Sequence, residues 1–390
     1  MGWMYAGIAE LPLHGGHVPR WMAEYMKKLA RAIVMVIVEE YGPEEVVVRL
    51  SDPFWFQAFN NAIGMDWDSS GSTTVTLGIL RQVLDEEPSL GVAVAGGKGR
   101  LARNTPLELE EKGELISAPS RSIREAIYAS RLAAKTDTVL LQDGYTLYHH
   151  AVVIASTGRW AVIQQGMNPS IRMARRYHWL SPLPSTPSLE PHSAIAAARR
   201  EEAVLDATSR KSLEARKTVL DLARQKPEKT IREIAQAVAL LRGTRPLFSL
   251  LGGGVSERVK IVARYYKPQP RPPRHIGEVL KKAYEAQPRS VEELVLLEGF
   301  GPTAMRSLAL VSELIYGYPL SHEDPASVPL DPFRYAYIVG GKDGVPFAFN
   351  PRLAEKVVSF LEEAIERARL GEKEKLRVLA RLRRLLVRGG

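Results

Sequence analysis

Two stretches of this 390-residue chain gather side chains suited to acid–base and phosphate chemistry. In DTVLLQDGYTLYHHAVVIASTGRWAVIQQGMN and the lysine two places before it, Lys135, Asp137, Gln142, Asp143, His149, His150, Gln164 and Gln165 fall on or beside runs that otherwise read as buried strands. Carboxylates and imidazoles around an antiparallel hairpin are what metal-dependent phosphodiester hydrolysis uses. Acids hold a divalent cation, a base takes a proton from water, and the cation offsets charge on the phosphate. The expectation assigns Asp143, His149, His150, Asp137, Lys135 and Gln165 to catalysis, with Asp143 and His150 holding a Mg or Mn ion. Alternate residues of a strand share a face, so Tyr148 and His150 point one way and Leu147 and His149 the other; one histidine is expected in the core and one in a cleft or solvent. The Glu-x-Lys pair of the commonest restriction-type nuclease core is missing, because AVIQQGM carries Gln in place of Glu and no following Lys. The plainer reading of each residue is a satisfied polar group within a sheet.

Other segments offer phosphate contacts. AVAGGKGRLARNTP runs a strand into a glycine turn with Lys98, Arg100 and Arg103, where backbone amides form a nest and basic side chains close around an anion. An exposed turn is the equal alternative, and neither GxxxxGK[ST] nor a helix-opening GxGxxG is present. In IRMARRYHW, helical spacing places Arg172, Arg175 and Arg176 on one face beside Tyr177 and Trp179, a basic and aromatic patch for a nucleic-acid strand or else a solvated arginine face. His14 and His17 have metal-ligand spacing in a glycine turn. Asp66 and Asp68, before Ser69-Ser70-Gly71, read as helix caps sooner than as a cation loop.

LLEGFGPTAMRSLAL sets two apolar half-helices around Gly299, Phe300, Gly301 and Pro302. Ser290 and Glu293 have capping-box spacing at the first helix, Pro302 suits the first turn of the second, and Gly317 lies just past its end. Glycines permit close approach and leave the second helix's amides open to an anion. This pattern resembles the helix-hairpin-helix motif, carried here by Leu297, Gly299, Phe300, Gly301, Pro302, Thr303 and Ala304. The resemblance implies sequence-independent contact with the DNA backbone through Gly299, Gly301, Pro302 and Thr303; a hairpin packed through its glycines is the bland alternative. Glycosylases with this motif place an aspartate some twenty residues on, which points to Asp324 or Asp331 here. Pro302 and Thr303 stand where the lysine of the lyase subset would be, and Asp-Pro is above all a turn dipeptide.

The elements that must position these groups follow from composition and periodicity. Hydrophobic residues make up 45% and charged residues 25%, so the chain reads as ordinary globular protein of more than one domain. No apolar run is long enough to span a bilayer, no secretory signal is visible, and a cytoplasmic location is expected. Cys is absent, which excludes disulfides, thiolate metal sites and cysteine nucleophiles. Net charge is +9, with nine Lys or Arg against two Glu in residues 367–390, and this favours a polyanion. EYMKKLARAIVMVIVEEYG predicts a helix ending at Gly42, GVAVA a buried strand, and the runs divided by Asp143-Gly144 and Thr157-Gly158 a three-stranded antiparallel meander. A proline-rich linker is expected over 181–192, a capping box at Thr230 and Glu233, and a basic, proline-interleaved strap over 258–274.

The fold class expected is α+β: a mixed α/β domain over 1–190 holding the meander and catalytic core, a helical segment and strap over 191–275, and an all-α helix-hairpin-helix domain with a basic end over 276–390. GIAELPLHGG, LSDPFWFQAF, VAGGKGR, LLQDGYTLYHHA, QQGMN, MARRYHWLS and GGKDGVPFAFN, in that order, resemble an archaeal and bacterial domain-of-unknown-function family, DUF763. That resemblance carries no activity and assigns no functional residue. The leading expectation is a DNA-binding protein of repair or processing, a metal-dependent nuclease; the alternatives are a DNA glycosylase of helix-hairpin-helix type and a non-catalytic DNA-binding scaffold.

Overall fold

The computed structural model describes residues 18–65, 71–197, 199–241 and 275–327, with scattered positions at 262, 265–266, 350–352, 354–355 and 358–359. His14, His17, Asp66, Asp68, Asp331, almost all of the basic strap and the basic C-terminal segment lie outside the described residues.

Helix α1 (Arg20–Tyr41) buries Met22, Met26, Leu29, Val34 and Ile37 at helical spacing. It stops where predicted: Gly42 takes φ +87°, and Pro43 opens α2 (Pro43–Ser51). Asp52 caps α3 (Pro53–Ala62) by accepting from the amides of Phe54 and Trp55, and α4 (Ser72–Glu86) follows. Strand β1 (Val92–Lys98) leads into α5 (Arg100–Leu115) and α6 (Ser120–Lys135).

The central sheet has five strands in the order β1, β3 (Thr146–Ala155), β4 (Trp160–Asn168), β5 (Met173–Leu180) and β6 (His192–Ala196), all antiparallel. Both faces are covered, which is why VVIA and AVI read as continuous apolar runs without alternation. Val152, Ile154, Val162 and Trp179 face α5 and α6, while Val92, Val94, Val153 and Ile163 face α1–α4. Each fully buried aliphatic side chain of this kind contributes roughly 1.5–3 kcal/mol.

The antiparallel meander is present, but its membership differs from expectation. Residues 136–140 form a π-turn closing α6, and β2 (Leu141–Gln142) pairs with β7 (Leu205–Asp206) away from β3. The third meander strand is β5, the segment read as a helical face. Helical spacing of its arginines is overridden by two buried ladders, to β4 and to β6.

The stretch read as a linker is anchored. Ser188 is fully buried, and its amide and Oγ both donate to Oε1 of Glu292 at 3.3 and 2.5 Å, beside Arg216. A boundary at 190 also cuts off β6 from its sheet. One hydrophobic cluster runs from the α5/α6 face of the sheet through α7 (Leu213–Arg224), α8 (Pro227–Leu241), α9 (Ile276–Ala286), α10 (Val291–Leu296) and α11 (Pro302–Val311). Helix α8 begins at Pro227, so Thr230 lies inside it and donates to the Leu222 carbonyl at 2.8 Å instead of capping. Ser290 does cap α10, accepting from the Glu293 amide at 3.2 Å.

Candidate functional site

The turn from β1 to α5 is built on Gly96, Gly97 and Gly99, which have φ of +92°, +145° and +61°. A Cβ on Gly96 would stand 2.4 Å from the His150 carbonyl oxygen, so strand β3 passes too close for any side chain there. The Gly96 amide donates to Glu108 at 2.9 Å and its carbonyl accepts from Arg81 at 2.8 Å, so the expected amide nest is filled from within at Gly96. What the turn presents outward is its side chains. Lys98, Arg100 and Arg103 are exposed.

Beside this turn lies a cleft of about 600 Å³ lined by Lys98, Arg103, Ser130, Arg131, His149 and His150, among others. The register of β3 against β4 shifts between Leu147 and His149, a bulge at Tyr148 that breaks strict alternation just before the two histidines, both of which line the cleft. Both are buried, against the expectation of one in the core and one outside, and they still face opposite sides of the sheet: His149 contacts Thr74 of α4, and His150 contacts Ser130 of α6.

A hydrogen-bonded chain runs inward from the cleft. Ser130 Oγ lies 2.7 Å from His150 Nε2, and His150 Nδ1 lies 2.7 Å from Gln164 Oε1. Gln164 Nε2 donates to Asp137 Oδ2 at 2.5 Å. Asp137 also accepts from Trp179 Nε1 at 3.3 Å and from His192 Nε2 at 2.6 Å. Donor and acceptor roles then propagate outward. A carboxylate only accepts, so it fixes the amide of Gln164 with its oxygen toward His150. That oxygen requires a proton on Nδ1, which leaves Nε2 as the acceptor for the Ser130 hydroxyl. Burial lowers the His150 pKa, against smaller opposing contributions from Gln164 and Asp137, and favours this neutral form. A hydroxyl donating to a neutral imidazole whose other nitrogen is held by an acceptor is the arrangement of an activated nucleophile and its base.

Ser130 and His192 were not found from the sequence. The available signal for Ser130 was a single hydroxyl among Ile123, Ala126 and Ala133 on the buried face of an amphipathic helix. His192 was hidden in a segment read as linker.

Helix α6 also joins the cleft to the second candidate region. One residue after Ala134, which lines the cleft, Lys135 donates to the Phe300 carbonyl in the α10–α11 hairpin at 2.8 Å. Half-burial lowers the pKa of Lys135. In the hairpin Gly299 has φ +84°, Phe300 is buried, and Gly299, Pro302 and Thr303 are exposed with Gly301 half-buried. Gly301, Thr303 and Ala304 are at the start of α11, where amides lack intrahelical acceptors. Gln142 is not catalytic in position; it bridges the Pro302 carbonyl and Arg306 at 3.0 and 2.9 Å.

Three expectations are corrected by burial. Asp143 and His150 do not share partners: Asp143 accepts from Arg175 at 2.8 Å, from Tyr177 at 2.7 Å and from the Tyr145 amide at 3.2 Å. Among the described residues no group of three or more His, Asp or Glu could hold a metal ion. Arg175 and Arg176 are fully buried on opposite faces of β5, while only Arg172, in the turn before it, is exposed. The expected patch therefore does not form. Asp324 forks onto Arg175 at 3.1 and 2.7 Å and accepts the Glu201 amide at 2.5 Å, so its lone pairs are committed to the core, unlike a glycosylase base at a cleft.

Lys135, Asp137, His149, His150 and Lys98 with Arg103 are thus gathered around one end of α6, Gln165 lies beside His149 on the next strand, and Asp143 lies elsewhere. A family model described as "Protein of unknown function (DUF763)" matches residues 7–349. Comparison with curated proteins and with solved structures gives no match. No described helix is long and apolar enough to cross a membrane.

Proposed function

The chain belongs to the DUF763 family, and we propose that it binds the DNA sugar-phosphate backbone and hydrolyses a phosphodiester in the cleft beside α6. The hairpin acts as a helix-hairpin-helix docking element, with Gly301 and Thr303 amides receiving one phosphate and Lys135 offsetting its charge. The observation that supports this most directly is the continuity of α6. Ser130, Arg131 and Ala134 line the cleft, and the next residue, Lys135, touches the hairpin. At about 1.5 Å per helical residue, Ser130 and Lys135 are roughly 8 Å apart along the axis of one helix.

In this reading Ser130 Oγ attacks phosphorus while His150 Nε2 takes its proton. The new bond is O–P, the bond broken is P–O to the leaving nucleoside, and His150 returns the proton to that alkoxide. Water then cleaves the phosphoserine, with His150 again as base. Lys98, Arg103 and Arg131 offset the charge on the non-bridging oxygens. Asp143 and His150 as a metal pair are not retained, because Asp143 is neutralised by Arg175. Purified protein with labelled single-stranded, duplex, flapped and uracil-containing DNA tests the proposal. Cleavage that survives chelation and disappears in Ser130→Ala supports it. Binding without cleavage of any substrate leaves the DNA-binding scaffold, and no binding at all rejects both.

A further inference from the structure

On the face of the sheet beneath α1–α4, a polar row crosses an otherwise apolar surface. Register sets Lys98 beside His149, His149 beside Gln165, and Gln165 beside Arg176. Strands lie about 4.8 Å apart, so His149 and Arg176 flank Gln165 from either side. His149 is 2% exposed, and Gln165 and Arg176 are completely enclosed. Helix α4 begins directly over the row. Thr74 Oγ1 lies 3.4 Å from His149 Nδ1, and Arg176 Nη1 donates to Thr73 Oγ1 at 3.2 Å. Arg176 Nε donates to His178 Nε2 at 3.0 Å, with its guanidinium 4.1 Å from the Phe56 ring centre.

Arg176 Nη2, His149 Nε2, Ser72 Oγ and both amide atoms of Gln165 face no hydrogen-bond partner among the described residues. Nor does any carboxylate of those residues pair with Arg176, in contrast to Arg175 next to it, which holds two. Enclosing a guanidinium is strongly unfavourable unless an anion or further acceptors meet it. Burial lowers the Arg176 pKa to about 9, which still leaves it cationic at neutral pH. Thr73, in the first turn of a 15-residue helix, touches it, and the carboxamide of Gln165 and the imidazole of His149 follow it along the row. Each of those groups can donate as well as accept, and donors converging with a guanidinium and a positive helix end match an oxyanion.

We propose that this row is an internal phosphate-binding site, with the anion seated over Gln165 between His149 and Arg176 at the N-terminus of α4. His149 also lines the cleft, which is the side from which we infer that the anion enters. The phosphate is either inorganic, the terminal group of a nucleotide, or the 5′-phosphate of a DNA end. The site stands independently of DNA cleavage.

The test is thermal unfolding and isothermal titration of the full chain in phosphate-free buffer with inorganic phosphate, AMP, and an oligonucleotide with or without a 5′-phosphate. A saturable rise in Tm with at least one phosphate source, its affinity cut about tenfold or more in Arg176→Met and in Gln165→Leu and unchanged in Arg121→Gln, an exposed position at the far end of α6, is expected. Which source binds identifies the ligand. If every source leaves the wild-type Tm unchanged, or shifts wild type and Arg176→Met equally, the site is rejected. Should Arg176→Met fail to fold, Ser72→Ala with Gln165→Leu replaces it, and broadening of the inorganic phosphate ³¹P resonance by wild type but not by that double variant supports the assignment.

Discussion

His150 is held neutral by two different constraints, burial and a fixed acceptor at Nδ1, and this sets its pH behaviour. A base whose pKa is pushed below 6.5 remains deprotonated on mild acidification, so the rate of DNA cleavage should stay level from pH 8 through 6.5 and fall only at lower pH. A pH–rate profile with its acid limb centred at or above 7 contradicts the assignment. Stability carries the same sign. His149, lowered to about 3, binds fewer protons folded than unfolded between about pH 3 and 6.5, so stability is lost as pH falls through that window, at roughly 1.4 kcal/mol per pH unit for such a group. Urea midpoints measured from pH 7 to 4 check this. Arg175 holds two carboxylates in the core, and Asp324→Ala leaves a buried guanidinium with one. That change should cost about 3–5 kcal/mol in a denaturation experiment. A loss below about 1 kcal/mol is inconsistent with the network.

At the scale of elements, the C-terminal end of α6 meets the α10–α11 hairpin, where Lys135 donates to the Phe300 carbonyl and Gln142 of β2 to the Pro302 carbonyl. Among the described residues a Cβ on Gly301 has only the Gly299 carbonyl oxygen near it, at 4.0 Å, and the backbone there is extended. Gly301→Val should therefore keep the Tm within a few degrees while weakening DNA binding, since the added side chain covers the amide face. Equal affinity of variant and wild type, by fluorescence anisotropy, removes the hairpin from the interface. Gly299 is different. Its φ of +84° makes valine there a folding defect, and that variant tests nothing about DNA.

For the whole molecule, the described surface offers Lys98, Arg100, Arg103, Arg131 and Lys135 around one end of α6, and the sequence carries +9. If these five cations each meet a phosphate, the logarithm of DNA affinity should fall with log salt at a slope of about −4 to −5. A slope near zero between 50 and 200 mM salt, concentrations in the range where counterion release is felt, rejects a backbone-dominated interface. Both sheet faces are covered and α7–α11 share one cluster with α5 and α6. Cleft and hairpin are thus held by one core, and a change at either should report thermally as one transition.

Much of this was already written in local chemistry. Gly42 and Pro43 ended α1, Asp143-Gly144 and Thr157-Gly158 marked turns, Ser290 capped its helix, and the paired histidines lay on opposite faces of one strand, because each depends on residues close in sequence. Tertiary structure alone decided which polar groups meet. It made a strand of the arginine segment by supplying ladders on both sides, took Asp143 away from His150 by offering it Arg175, and set Ser130 against His150 and Arg176 beneath α4. Partners separated by 20 to more than 100 residues leave no periodic trace, since pairing across a sheet and through a core is fixed by enclosure and not by neighbours along the chain.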